Sequence, residues 1–178
     1  MRYLFLERRF LHRFDSETFR LRLNDHLRRW AVAYLLAILS AALFHAHFCF
    51  GLNASRSVPH QFFLIHKGEL PKRGQYVAFR WTGGGPYPAG VTFVKIIAGI
   101  AGDTVTCTDR DFFVNGVHVG KAKATSRQGV PLELGPTGVL PAGRYYVRAP
   151  HPDSLDSRYQ LTGWISDTQI IGRAYALF

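Results

Sequence analysis

The chain has only two cysteines, too few for a disulfide-stabilised scaffold or for a zinc site with four cysteine ligands. It has no collagen-like repeat and no heptad pattern, and its hydrophobic content of 47% excludes a mainly disordered chain. It also lacks GxGxxG after a strand, GxxxxGK followed by Ser or Thr, HExxH and GxSxG. What remains is a length of 178 residues, which suits one domain with a hydrophobic core.

Charge is distributed unevenly along the chain, whose formal net charge is +10. Residues 1–29 hold eight arginines against four acidic residues, whereas residues 30–50 hold no charged residue at all. Such a balance suggests an anionic membrane surface or nucleic acid as a partner. Because the remaining basic residues are scattered and no aromatic residues interleave them, we expect no nucleic-acid binding.

The uncharged segment 30–50 is long enough for a membrane-spanning helix, which needs about 20 mostly apolar residues. Its most apolar part, residues 31–44, is followed by His45 and His47. Aromatic residues typical of membrane interfaces lie at its two ends, namely Trp30, Tyr34, Phe48 and Phe50. We therefore interpret it as a single anchor; a cleaved signal peptide and a buried core helix are the alternatives.

The arginines before the anchor predict its orientation. Under the positive-inside tendency, residues 1–29 form a basic cytoplasmic segment, and residues 51–178 form an exported domain in the periplasm. Membrane lipid would contact the anchor, residues 30–50. Apolar residues among the charges of residues 10–29 also suggest a short amphipathic helix on the inner membrane surface, through Phe10, Phe14, Leu21 and Leu27.

The exported part is predicted to be mainly β. Short β-branched and aromatic runs alternate with Gly and Pro, which favours an antiparallel sandwich or open barrel. Asn115-Gly116, between two apolar runs, indicates a tight hairpin. The predicted strands are 61–66, 75–81, 92–97, 104–108, 111–114, 117–120, 144–149 and 170–177, and residues 121–143 are predicted to be a long loop.

Lys95 is the most informative polar residue, because no other charged residue lies between Val91 and Gly102. An ammonium group is costly to bury, and burial favours the neutral amine, which can accept a proton from a serine hydroxyl. The alternative is a lysine on an edge strand whose amine reaches water. Ser55 and Ser57 are candidate nucleophiles after the anchor, although serines near a proline are also common in turns.

Other polar groups carry weaker predictions. Residues 153–158 bring Asp153, Ser154, Asp156 and Arg158 together, either at a site or in a solvated turn. His45 and His47 lack a nearby carboxylate, so we predict no metal site and no cofactor. Cys49 and Cys107 are expected to be two separate thiols.

Three segments in this order resemble the type I signal peptidases, most closely the TraF-type peptidases of conjugative transfer. They are the serine box Asn53–Pro59, the lysine strand that ends in Gly99-x-x-Gly102-Asp103, and Ser154-x-Asp156-Ser157-Arg158-Tyr159. Residues 71–79 resemble the strand between the serine and lysine boxes. The resemblance covers roughly residues 50–175 and implies a signal-peptidase-like β domain on one membrane helix.

The resemblance also implies roles for individual residues. Ser57 would be the nucleophile, Lys95 the general base, and the Ser55 hydroxyl and Ser57 N–H the oxyanion donors. Ser154 would hydrogen-bond the lysine amine, with Asp156 and Arg158 bracing the site. The implied substrate is an exported, propilin-like protein of conjugation or type IV secretion, cleaved after small residues or cyclised.

The chain departs from the TraF-type pattern after both main boxes. Pro59 is followed by His60-Gln61-Phe62-Phe63 instead of x-Gly-x-Tyr, and Ile96 and Ala101 replace a basic residue and a proline. These positions affect subsite preference more than the dyad. The competing hypotheses are a LexA-like self-cleaving protein and a non-enzymatic anchored β domain that scaffolds a pilus or secretion assembly.

Overall fold

The computed structural model describes residues 16–53, 55 and 57–178. Most of the predicted cytoplasmic segment, and the first part of the predicted amphipathic helix, therefore lie outside the described residues. The chain divides into two compact units, Met1–Leu43 and Phe44–Phe178. The first contains most of a single long helix, and the second contains all of the strands.

Helix α1 spans Ser16–His47 and is long and apolar enough to cross a membrane, as the sequence predicts for an anchor. Every residue from 18 to 47 is exposed, so the alternative of a buried core helix is wrong. The helix ends three residues before the predicted end of the anchor. Residues 48–50 instead belong to a strand, because they pair with residues 64–66.

The second unit contains eleven strands in the described part of the chain, all paired antiparallel, as a mainly β fold predicts. The predicted strands all form, within two residues at each end. Their bounds are β1 Phe48–Leu52, β2 Phe62–Lys67, β3 Tyr76–Arg80, β4 Thr92–Gly99, β5 Thr104–Thr108, β6 Asp111–Val114, β7 Val117–Lys121, β8 Gly138–Val139, β9 Arg144–Arg148, β10 Ile165–Ser166 and β11 Ile170–Ala176. A 3-10 turn, Asp167–Gln169, precedes β11.

Two sheets make up this unit. The larger has the order β1-β2-β11-β3-β4-β9-β10, and the smaller has the order β7-β6-β5-β8. The turn at Asn115-Gly116 joins β6 to β7, and both residues have positive φ, which confirms the predicted hairpin. Cys49 and Cys107 are both free, as predicted.

Buried apolar residues form three clusters. One lies under the smaller sheet around Phe112 and Tyr146, and the other two include residues from the central strands of the larger sheet. Side chains alternate along β4, so that Val94 packs in one of these clusters and Ile97 in another. The central position of β4 places its polar residue, Lys95, inside the domain.

Candidate active site

Lys95 lies on a strand that has neighbours on both sides and is only 4% exposed. It pairs with Val77 of β3, and β9 covers the other edge of β4. The alternative of an edge-strand lysine with its amine in water is therefore wrong. The amine is buried, as the sequence-based argument for a neutral lysine requires.

Two groups contact the Lys95 amine. Nζ donates a hydrogen bond of 2.7 Å to Ser154 Oγ and lies 5.4 Å from the centre of the Phe93 ring. Burial lowers the pKa of Lys95 from 10.5 to about 8, while the carboxylate of Asp156 raises this pKa and the guanidinium of Arg158 lowers it. A pKa in this range makes the neutral amine available near physiological pH, as a general base requires.

The described residues of the serine box lie between β1 and β2. Ser57 is 4% exposed, and the buried side chain of Val58 anchors the turn in the core. Ser55 Oγ lies 3.1 Å from Ser57 Oγ and 3.0 Å from Asn53 Oδ1. Because a hydroxyl has one proton, Ser55 can donate to only one of these acceptors at a time.

Asn53 closes this loop from its first residue. Its Nδ2 donates to the carbonyls of Val58 at 3.2 Å and His60 at 3.1 Å, and its backbone N–H donates to Gln61 at 2.8 Å. Asn53 belongs to the serine box, but no role was predicted for it. Its residue type indicates such a role, since an asparagine amide can donate two hydrogen bonds while its oxygen accepts another.

A turn at residues 151–154 brings Ser154 next to the serine loop. The Ser154 N–H donates to the His151 carbonyl at 3.1 Å, and the His151 N–H donates to the Ser57 carbonyl at 3.4 Å. The backbone of His151 therefore joins the segment of Ser57 to the segment that contacts Lys95. Sequence reasoning did not identify His151, because its role is performed by main-chain atoms.

Asp156 and Arg158 form an ion pair behind the amine, with exposures of 0% and 3%. Asp156 Oδ1 accepts from Arg158 Nε at 2.8 Å, and Oδ2 accepts from Nη2 at 2.9 Å and from the Ala149 N–H at 2.9 Å. Arg158 Nη1 also donates to the Lys121 carbonyl at 2.9 Å. The pair therefore connects β9 to the end of β7.

A cleft of about 1340 Å³ runs along these residues. Ser55, Ser57, Lys95 and Ser154 all line it, so the structure brings together four of the predicted site residues. Asp156 and Arg158 lie behind it and do not line it. Lys95 and Ser57, which are both among the described residues, make no direct hydrogen bond with each other. Such contacts in active sites commonly tighten only when a substrate binds.

Three further segments that sequence reasoning did not assign to the site also line the cleft. They are residues 85–87, residues 91–93 and residues from 123–133. Within the described part of the chain, no group of three or more His, Cys, Asp or Glu side chains is placed to hold a metal ion. The site therefore combines a buried amine with hydroxyl groups in an open cleft.

The chain is similar to several known proteins. The chain is 27% identical over 143 residues to Signal peptidase I of Pseudomonas aeruginosa, covering 61% of this chain and 49% of that protein. It is 29% identical over 182 residues to Signal peptidase I T of Bacillus subtilis, covering 92% and 90%. The chain thus spans about half the length of its Pseudomonas relatives and nearly all of the Bacillus one.

A solved structure of a signal peptidase I from Enterococcus faecalis V583 is also similar, at 23% identity and a TM-score of 0.40, covering 62% of this chain and 98% of that one. The family model described as signal peptidase, peptidase S26, matches residues 23–178, which include the second part of α1 and every strand. This chain therefore belongs to the peptidase S26 family of signal peptidases.

Proposed function

We propose that this protein is a membrane-anchored serine endopeptidase in which Ser57 is the nucleophile and Lys95 the general base. The observation that carries the proposal is the Lys95 amine, which is buried and opens into the same cleft as Ser57. Membership of a family of serine peptidases supports it. No metal or cofactor takes part in the proposed reaction.

The first half of the reaction forms an acyl-enzyme. Neutral Lys95 takes the proton of Ser57 as Ser57 Oγ attacks the peptide carbonyl. The Ser57 N–H and the Ser55 hydroxyl stabilise the oxyanion, for which Ser55 turns its proton away from Asn53 and Ser57. Protonated Lys95 then donates its proton to the leaving amine, and the C–N bond breaks.

The second half restores the enzyme. Lys95, neutral again, takes a proton from water, whose oxygen attacks the ester carbonyl; Ser57 leaves and regains its proton through Lys95. A substrate amine in place of water would give a cyclic product. Ser154 orients the Lys95 amine between these steps, since its Oγ accepts from Nζ at 2.7 Å. Asp156 and Arg158 keep Ser154 in place from behind.

We further propose an exported, propilin-like substrate of conjugative transfer or type IV secretion, as in the TraF-type peptidases. The box Asn53–Pro59 and the short catalytic domain support this subclass. Helix α1 would be a single-pass anchor in the inner membrane, with the N-terminus cytoplasmic and the catalytic domain periplasmic. Anchoring raises the local concentration of enzyme at the membrane face where such substrates emerge.

Processing in cells tests this proposal. Mass spectrometry of candidate pilins should show mature, shortened or cyclic products with the wild-type protein and precursors with S57A or K95M. We expect each variant to lose at least about 1000-fold in rate, and S55A to lose about 100-fold. Lys121→Met, which removes an exposed lysine, should process normally.

Normal processing by K95M would remove the dyad from consideration. An inactive S55A together with an active S57A would show that the serine assignment is wrong. If all the variants process normally while deletion of the gene still blocks pilus assembly, the protein is instead the non-enzymatic scaffold.

A further inference from the structure

Much of the lining of the cleft comes from one segment between β7 and β8. We call residues 122–134 the cleft loop. Its residues that line the cleft are Lys123, Thr125, Ser126, Arg127, Gln128, Val130, Pro131, Leu132 and Glu133. A peptide bound in the cleft would therefore lie against this loop along most of its length.

The base of the cleft loop is held by a guanidinium group. Arg110, in the turn between β5 and β6, donates to the carbonyls of Ala122 at 3.0 Å and Leu132 at 2.9 Å, and also to that of Lys123. The two sides of the loop are joined by a hydrogen bond from the Leu132 N–H to the Ala124 carbonyl at 2.8 Å. The base is thus well fixed to the smaller sheet.

The tip of the loop, residues 125–130, has a different set of contacts. Ser126 accepts hydrogen bonds from the N–H groups of Gln128, Gly129 and Val130, and its own N–H donates to the Val130 carbonyl. All of these bonds lie within the tip. Among the described residues, the hydrogen bonds that connect the tip with the rest of the domain run from Arg127 to Asp153 Oδ2, at 2.9 Å from Nε and 2.7 Å from Nη2. One carboxylate therefore fixes the position of the tip.

Asp153 also lines the cleft and comes directly before Ser154 in the chain. Its second oxygen, Oδ1, accepts from Lys123 of the same loop, so the carboxylate holds the loop at two points. These hydrogen bonds, from Lys123 first and Arg127 second, lower the pKa of Asp153 to about 2. The carboxylate is charged throughout the range in which a peptidase works, so the contact does not open with pH.

We propose that Asp153 is a positioning residue for substrate binding, which ties the tip of the cleft loop to the rim of the cleft and so sets the width of the channel that receives the peptide. The inference rests on the proposed function. Ser154 itself is held by a separate contact, from its own N–H to the His151 carbonyl. Loss of the Asp153 contact should therefore affect peptide binding more than the chemical step.

The matched control is Asp111, which offers the same chemistry away from the cleft. It accepts from His118 at 3.0 Å and Lys121 at 2.7 Å, and it belongs to the β6–β7 hairpin. Asp111→Asn removes the same charge, an ion pair with Lys121 and a contact with His118, all of similar exposure, without touching the cleft loop. A general effect of net charge or of surface stability would appear equally in both variants.

The test uses the full-length chain in detergent and an uncharged fluorogenic peptide with Ala at the first and third positions before the bond. We expect D153N to raise KM about two- to fivefold with kcat nearly unchanged, as for the loss of partly exposed ion pairs, and D111N to match wild type. Arg127 is 73% exposed, so salt should screen its contact. Raising NaCl from about 0.05 M to about 0.5 M should raise the KM of wild type but not that of D153N.

A double-mutant cycle completes the test. R127A should raise KM by no more than D153N does, because it removes one of the two contacts of Asp153, and the double variant should be no worse than D153N alone. Equal KM values for D153N and D111N, or additive effects of R127A and D153N, would overturn the inference. The S57A variant is measured in parallel: if it cleaves the peptide, the proposed function fails, whereas an inactive S57A with unchanged D153N defeats the inference alone.

Discussion

Three influences set the pKa of the Lys95 amine. Burial disfavours its charge, the nearby Asp156 carboxylate favours it, and the Arg158 guanidinium again disfavours it; the net result is a pKa of about 8. Because this pKa is lower in the folded than in the unfolded chain, the folded protein binds fewer protons between about pH 8 and pH 10.5. Lys95 therefore destabilises the fold below about pH 8, and this destabilisation is relieved as the pH rises towards 10.5.

The same titration predicts a pH profile for peptide cleavage. In the proposed mechanism only neutral Lys95 accepts the proton of Ser57, so kcat/KM should rise about tenfold per pH unit below pH 8 and level off above it. The measurement is initial rate with subsaturating peptide between about pH 6 and pH 10. The Lys121→Met control should have the same midpoint, and a flat profile across this range would contradict a lysine base.

The larger sheet is completed by the last strand of the chain. Strand β11 lies between β2 and β3, so the C-terminal residues hold the serine-bearing part of the sheet to the lysine-bearing part. Its register shifts between Ile170 and Gly172, where a Cβ at Gly172 would lie 1.9 Å from the His66 carbonyl oxygen. A side chain at this position cannot be accommodated without moving the backbone of β2.

Gly172→Ala should therefore lower the free energy of unfolding by roughly 3 kcal/mol. Gly116→Ala is the comparison: a Cβ there has open space but φ is +77°, so we expect a loss of only about 1 kcal/mol. Urea unfolding followed by tryptophan fluorescence measures both. Similar losses in the two variants would show that the close approach at Gly172 is relieved by a small adjustment.

Elements with a local signal were predictable from the sequence. The alternation around Lys95 and the Asn115-Gly116 turn each depend on neighbouring residues, and both formed as predicted. Residues 48–50 of β1 were assigned to the anchor, because they are apolar and their pairing with β2 depends on the tertiary structure. The two-residue strands β8 and β10 are too short to produce a pattern.

The site was predictable only where side chains have a chemical signature. Ser57, Lys95 and Ser154 could be named because of their residue types and their order in the chain. The backbone link through His151 and the contact of Arg127 with Asp153 join segments that are distant in sequence, and no periodicity records them. Residues 121–143 were predicted to be a loop, but their position as a wall of the cleft follows from Arg110 and Asp153, which lie outside them.

At the scale of the whole molecule, the first unit contributes an apolar helix and the second contributes the cleft. Residues 18–47 are all exposed, many of them apolar, so the helix needs another apolar environment. A bilayer is that environment in the proposed function. The helix and the cleft then have separate functions, so a substitution that impairs one of them should leave the other unaffected.

Leu36→Arg should release the protein from the membrane without inactivating the cleft. Leu36 is exposed on α1, and an arginine near the centre of a spanning helix costs about 2.5 to 3.5 kcal/mol of insertion free energy. The fraction of chain in carbonate-washed membranes should fall, while kcat/KM on the soluble peptide in detergent stays unchanged. Leu36→Ile is the control, and an unchanged membrane fraction for Leu36→Arg would argue against a spanning helix.

The position of Lys95 on an inner strand also bears on how the protein loses activity. The pKa of Lys95 stays near 8 only while β3, β4 and β9 keep water away from the amine. Any loosening that hydrates this strand should raise the pKa towards 10.5 before the chain unfolds, which leaves less of the neutral amine. Heat or denaturant should therefore abolish activity while the spectrum of the protein is still that of the native fold. A partly unfolded copy in the membrane should then be inactive and should not cleave other proteins.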